Sequence, residues 1–386
     1  MNAAATAHAE NPSGIDPGIA IATALLITLG VVMSYSATAA LALDSMIPPL
    51  FFDHLVGLAI GLVATAVAYR LPVQFIRQMA MPVWILTLLL LAATVIFGIQ
   101  VNGATRWLEV PGIGFRFQPG ELAKCATLLA IATLLSRKDD RREISTRRSL
   151  QAAGMALLPA GLLLLQPDLG NAVVLVILCA LLLFVAGTPW PRFVLPGIAG
   201  VLLVGTYVAT NDYARRRIMG FLDPFGESRG AGWQLVQSYV AFGQGGLIGQ
   251  GLGNGRQKLE YLPEVHTDFV LALVAEELGL LGVLVVLGAF AALWATGMRV
   301  ARRAKNRFDL LCGFAMVALL TLPALLNASV VMGMVPTKGL TLPFLSYGRT
   351  SLVVSCFALG ILLGVAKRNA PHSAPMQREA AWPSAG

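Results

Sequence analysis

A histidine, a threonine and a carboxylate stand in succession at His266-Thr267-Asp268, where a long polar stretch gives way to an apolar one. An ionisable group at such a boundary is costly unless it meets a partner or water, so it marks a candidate site. A carboxylate within reach of a hydroxyl, near water but partly desolvated, suits general-base chemistry. Asp268 or Thr267 could instead cap the helix that follows, accepting from its first free N–H groups. On the residues alone both readings stay open. Capping uses only one of these side chains and leaves His266, with Glu260 and Glu264 on the approach, without a role.

Other charged and aromatic residues gather at similar boundaries. Glu121 and Lys124 lie at i, i+3 on one face of an apolar helix opened by Pro119. They either neutralise one another or present Lys124 to an anion such as a phosphate. Arg106-Trp107, with Arg116 nearby, reads as an interfacial aromatic belt or as a basic, aromatic rim for a diphosphate or a sugar face. Lys338 precedes Ser346-Tyr347-Gly348 in a rigid loop, as a second anion contact or a solvated charge. Asp168, in Gln166-Pro167-Asp168-Leu169-Gly170, reads as a helix cap. Glu276-Glu277 sit deep in an apolar helix, where two adjacent carboxylates cannot both face lipid. They meet a basic partner, hold a proton, or mark a transport path.

These residues must be positioned by membrane helices. The chain is 56% hydrophobic and 12% charged, with a mean hydropathy of +0.73, and apolar runs of near-spanning length recur from end to end. Each is long enough to cross a hydrocarbon core of ~30 Å at ~1.5 Å per residue. The pattern predicts an all-α polytopic membrane protein with ten spans: about 17–40, 50–69, 77–99, 119–136, 150–166, 168–187, 193–210, 267–297, 309–332 and 345–366. Residues 1–16 and 367–386 are expected as tails, the first without the marks of a signal peptide. The four cysteines lie in apolar runs as small buried hydrophobes, with no metal-ligand spacing.

A net charge of +8 would suggest nucleic acid in a soluble chain; here its placement sets orientation and no nucleic acid is expected. Arg70, Arg77, the run from Arg137 to Arg148, Arg192, the cluster Arg299 to Arg307, Lys367 and Arg368 share one side with both termini. By the positive-inside rule that side is cytoplasmic. The candidate residues then face outward, with one large outer loop at 211–266. Its glycine-rich tract, 243–255, lacks the Gly-Lys-Ser/Thr ending of a phosphate loop and is expected to form tight turns along the interface.

Five motifs in order resemble the SEDS family (shape, elongation, division and sporulation) of bacterial cell-wall synthesis. They are Gly103-Ala104-Thr105-Arg106-Trp107-Leu108, Phe117-Gln118-Pro119-Gly120-Glu121-Leu122-Ala123-Lys124, Gln166-Pro167-Asp168-Leu169-Gly170, the glycine-rich tract running to Thr267-Asp268-Phe269, and Leu342-Pro343-Phe344-Leu345-Ser346-Tyr347-Gly348. The septal division branch (FtsW) resembles the chain more than the elongation branch (RodA), from the wording of 251–261 and 336–341. Gly120 replaces the usual Ser, and Arg349-Thr350 a usual Gly and Ser.

The resemblance implies a peptidoglycan glycosyltransferase that polymerises lipid II at the outer face of the bacterial inner membrane, at the septum. Its implied partners are a class B penicillin-binding protein and other divisome membrane proteins. Asp268 matches the family's essential aspartate, and Arg106, Trp107, Glu121 and Lys124 match cavity residues; His266, Thr267, Lys338 and Ser346 complete the expected substrate contacts. No metal site is expected, and a divalent cation (Mg or Mn) taking part would be bridged by substrate. The rival readings are a lipid-linked precursor flippase or other transporter with Glu276, Glu277 and Lys124 as a polar path, a recruiting scaffold, and an elongation-branch polymerase.

Overall fold

A computed structural model describes residues 16–39, 47–101, 104–110, 112, 115–136, 144–210, 212–227, 230, 232–262 and 265–370. Most of both tails and the basic run at 137–143 lie outside the described residues. The helices are α1 (Pro17–Ala39), α2 (Pro49–Arg70), α3 (Val73–Phe97), α4 (Pro119–Leu135), α5 (Thr146–Leu165), α6 (Leu169–Val185), α7 (Pro191–Thr210), α8 (Asp212–Leu222), α9 (Trp233–Gly245), α10 (Val270–Arg302), α11 (Arg307–Val331) and α12 (Arg349–Asn369). Each of the ten expected spans carries a helix. Seven are long and apolar enough to cross a membrane: α1, α2, α3, α5, α10, α11 and α12. The chain is thus a multi-pass membrane protein. Helices α4 and α6 are 17 residues each, and the apolar part of α7 is Pro191–Leu202.

Local chemistry sets the helix ends. Pro49 and Pro119 occupy first-turn positions, where a missing N–H costs nothing. Asp168 caps α6 as expected, its carboxylate accepting from the Asn171 N–H at 3.3 Å. Asn306 caps α11 by accepting from the Asp309 N–H at 2.9 Å, and Asp309 pairs with Arg368 at 2.7 Å to tie the end of α12 to the start of α11. Nearly every residue of α4 is buried, so this helix is a central post rather than a lipid-facing span. Small residues let α2 and α12 approach closely: a Cβ on Gly61 would stand 2.8 Å from Cys356 Sγ.

One segment departs from the all-α expectation, and the long loop holds structure of its own. The segment before α4 is a small antiparallel meander of β1 (Ile99–Val101), β2 (Ala104–Val110) and β3 (Phe115–Phe117). Val101 pairs with Ala104 across Asn102-Gly103, a dipeptide that favours hairpins. The stretch 211–266 holds α8, α9 and a π-helical turn at Gln257–Tyr261.

The glycine-rich tract forms the expected turns. It lies against α10, which is broken at Gly279 with φ 68° and ψ −167°. The N–H groups of Gln250 and Gly251 donate to the carbonyls of Glu276 and Glu277, both at 3.0 Å. In return Leu280 and Leu281 donate to Gly246 and Leu247, at 2.9 and 3.2 Å. An interrupted helix in a bilayer needs such substitutes, because no water is present to take them up. Gly249, at φ 81°, lies directly on the Glu277 carbonyl, where a Cβ has no room.

The same tract accounts for Glu276 and Glu277, both fully buried. Glu276 accepts from the N–H groups of Arg256 (2.7 Å) and Gln257 (3.2 Å). Glu277 accepts from Ser36 Oγ (2.6 Å), Gly253 N (3.0 Å) and Lys258 Nζ (2.8 Å). Both carboxylates are thereby committed to holding the break together, which removes the observation behind the transport-path reading. Lys258→Met leaves Glu277 buried without its counter-charge and should lower unfolding stability by roughly 3–5 kcal/mol. Adding Glu277→Gln should recover part of that. Thermal unfolding in detergent measures it; a single variant as stable as the parent would refute the pairing.

Candidate active site

A cavity of about 530 Å³ opens at the end of the bundle where α4, α10 and α12 begin. Five cations line it: Arg106 from β2, Arg116 from β3, Arg217 from α8, Lys338 from the loop after α11, and Arg349 from the first turn of α12. Asp268 is the one carboxylate among the described lining residues, beside His266 and Thr267. Trp107, Phe269 and Tyr347 add aromatic surface. Helix N-termini carry partial positive charge, so α10 and α12 reinforce the cations. A smaller pocket shares Arg106, Arg217, Lys338 and Gly339 with this cavity and continues into apolar Leu169, Val208, Ala214 and Ile218.

Asp268 is half-buried. The cap position of α10 falls one residue later, on Phe269, which has no capping side chain. The backbone around it is fixed from two sides: the Tyr347 N–H donates to the His266 carbonyl at 2.8 Å, and Asn327 Nδ2 donates to the Asp268 carbonyl at 2.7 Å. The His266 and Tyr347 rings meet edge to face at 5.8 Å.

The cations are held by different means. Arg106 donates to the Pro167 carbonyl and lies 4.0 Å from Asp168. Asp168 also accepts from Gln118 (3.2 Å) and Asn171 (2.8 Å). Asn171 in turn accepts from Lys124, which pairs with Glu121, both at 2.8 Å. Arg116 pairs with Glu109 at 2.9 Å, directly opposite on the neighbouring strand. Arg217 donates to the Thr337 carbonyl at 2.9 Å, next to Lys338. Burial and the Arg217 guanidinium hold the Lys338 pKa below the usual lysine value. Arg349 lies 3.6 Å from Asp53 on α2. Burial and Asp53 raise the Tyr347 phenol pKa, which keeps it protonated. One carboxylate among five cations does not fit a divalent ion held by the protein itself. It fits a polyanion carried on an apolar tail.

A sequence model of the FtsW, RodA and SpoVE cell cycle proteins matches residues 18–370. The chain belongs to this family. It is 42% identical over 349 residues to a probable peptidoglycan glycosyltransferase FtsW of Geobacter metallireducens, covering 89% of this chain and 92% of the relative. The protein of the same name from Coxiella burnetii is 38% identical over 362 residues, covering 91% and 96%. These relatives place the chain in the FtsW branch. The structure is similar to a chain of a peptidoglycan synthase complex that coordinates polymerization and crosslinking, with a TM-score of 0.76, 31% identity and coverage of 92% and 98%. It is also similar to the rod shape determining protein RodA of Thermus thermophilus, with a TM-score of 0.68, 29% identity and coverage of 93% and 98%.

Within this SEDS scaffold Arg106, Trp107, His266, Thr267, Asp268 and Lys338 line one cavity. Glu121, Lys124 and Ser346 do not. The first two are a buried pair behind the wall, the internal-neutralisation alternative, and their bonds brace Arg106 through Asn171 and Asp168. Ser346 Oγ accepts from the Leu342 N–H at 2.8 Å and closes a buried turn. Arg217 and Arg349 join the cavity unannounced by any motif: the one sequence signal for Arg217 is the run Arg215-Arg216-Arg217, and Arg349 stands out only as a departure from the family pattern.

The lowered Lys338 pKa gives an alkaline prediction. Its charge is lost as pH rises through the lowered value, earlier than for an ordinary lysine at 10.5. Pyrophosphate binding to the purified protein should weaken over that range, and Lys338→Arg should abolish this limb. Superimposable pH profiles for parent and variant would exclude Lys338 as an anion contact.

Proposed function

We propose that this protein is the peptidoglycan glycosyltransferase of cell division, polymerising lipid II at the outer face of the cytoplasmic membrane. The observation that carries the reading is Asp268 in a cation-walled cavity that continues into an apolar pocket, in a chain of the FtsW branch. Ten spans are proposed, α1 to α7 and α10 to α12, forming one membrane domain over 17–366. Both termini are cytoplasmic and 211–266 is extracytoplasmic, which turns the cavity outward.

In this mechanism Asp268 accepts the proton of the 4-hydroxyl on the acceptor's terminal sugar. The oxygen attacks the anomeric carbon of the donor glycan, and the bond from that carbon to the diphosphate oxygen breaks. The lipid diphosphate leaves with the bonding pair. Arg106, Arg217 and Lys338 stabilise its charge, the kind of fixed electrostatic contact typically worth ~3 kcal/mol per donor. Trp107 offers a face to a sugar ring, while the apolar pocket beside these cations takes the first part of the tail. Glu121 and Lys124 act behind the wall as supports.

A class B penicillin-binding protein is the proposed partner, cross-linking the strands as they form, in company with other divisome membrane proteins. The related synthase complex that couples polymerization to crosslinking supports this. Purified protein with that partner should convert lipid II in detergent into glycan ladders. Asp268→Asn should lower the rate by ~10²–10⁴-fold. Ladders of undiminished intensity from the variant would remove Asp268 as the base, and absence of ladders from the parent would favour a transporter. A fluorescently tagged copy should gather at mid-cell; an even sidewall distribution would favour the elongation role.

A further inference from the structure

Asn327 lies in α11 with none of its surface exposed. Its Nδ2 donates two hydrogen bonds, to the carbonyl of Asp268 at 2.7 Å and to that of Leu340 at 2.6 Å. One amide thus joins the turn that carries the carboxylate to the loop that carries Lys338. The two segments are close: a Cβ added at Gly339 would stand 2.8 Å from Asp268 Oδ2. The other end of the Asn327 side chain, Oδ1, is buried and has no hydrogen-bond partner among the described residues. Burying an unmet acceptor is costly. An apolar residue of like size would fill the space without it, so packing alone does not account for an amide here.

We propose that Asn327 is a positioning residue that sets the spacing between the Asp268 carboxylate and the Lys338 loop. It rests on the reading of Asp268 as base and Lys338 as a contact for the leaving diphosphate. In that reading the hydroxyl being deprotonated and the departing oxygen lie on opposite sides of one anomeric carbon. Base and cation must therefore keep a fixed separation through the reaction. The turn at 265–268 belongs to no helix, and Asn327 ties it to a buried helix instead.

The test uses the full-length protein with its transpeptidase partner, measuring initial lipid II polymerisation against concentration below the melting temperature, normalised to folded protein. A misplacement of ~1 Å is enough for a ~10²-fold loss, so Asn327→Leu should lower kcat by about 10- to 100-fold. KM should move by no more than about threefold, because the cations and aromatic walls remain. Gly339→Ala perturbs the same gap from the other side and should lower kcat in the same way. A kcat equal to the parent's in Asn327→Leu overturns the proposal. So does a loss that appears only in KM, or one that disappears on normalisation. Should Asn327→Leu fail to fold, unchanged kcat in Gly339→Ala overturns it instead. Asp268→Asn separates the two readings: full activity there removes the base itself, whereas an inactive Asp268→Asn beside a normal Asn327→Leu removes only the positioning role.

Discussion

A helix that stops and restarts inside a membrane needs substitutes for the hydrogen bonds it gives up, and much of this structure follows from how α10 meets that demand. The break at Gly279 frees carbonyls and N–H groups that the helix itself no longer pairs. The glycine-rich tract supplies them, and at Gly245, Gly249 and Gly279 the two backbones approach so closely that a Cβ has no room. Glu277 then binds a tract amide and Glu276 those of Arg256 and Gln257 just after it, with Lys258 and Ser36 completing the shell. The polar stretch before α10 is thereby tied into the bundle. That leads the chain into the turn at 265–268 and delivers Asp268 to the rim.

The cavity draws its walls from elements far apart in sequence, each fastened differently. Arg349 rides on α12, which is close-packed against α2 and clamped at its far end through Arg368 and Asp309. Arg106 reaches from its β-strand to within 4.0 Å of Asp168, the cap of α6. Lys338 and Arg217 lie together, joined through the Thr337 carbonyl. Burial, and after it the neighbouring Arg217 charge, lowers the Lys338 pKa. Such an arrangement favours occupation by a ligand with several negative charges.

Most of the helical scaffold is legible in the sequence, because lipid imposes one rule on every span and apolar length reports it directly. Asp168 as a cap and Glu277 with a basic partner also follow from local rules. Three features resist that reading. The meander at 99–117 is signalled only by Asn102-Gly103 amid a few β-branched residues, too short a pattern to stand out beside long helices. The docking of the glycine-rich tract is a long-range pairing, and nothing local marks its partner. Glu121 and Lys124 look like ligands because charge in an apolar helix suggests function; their partner Asn171 lies on another helix. The cavity cations split the same way: Arg106 and Lys338 sit in recognisable motifs, while Arg217 is brought in by tertiary packing from the middle of a loop.

The polar seam running from Arg106 through Asp168, Asn171 and Lys124 to Glu121 alternates in sign and sums to zero. It can therefore stiffen one wall while remaining electrically silent at a distance. Had the support been built from carboxylates alone, it would have competed with an incoming polyanion for the guanidinium it holds. Behind Arg106 the buttress keeps one carboxylate in excess, Asp168 and Glu121 against Lys124, and the guanidinium at its tip balances that charge while facing the cavity.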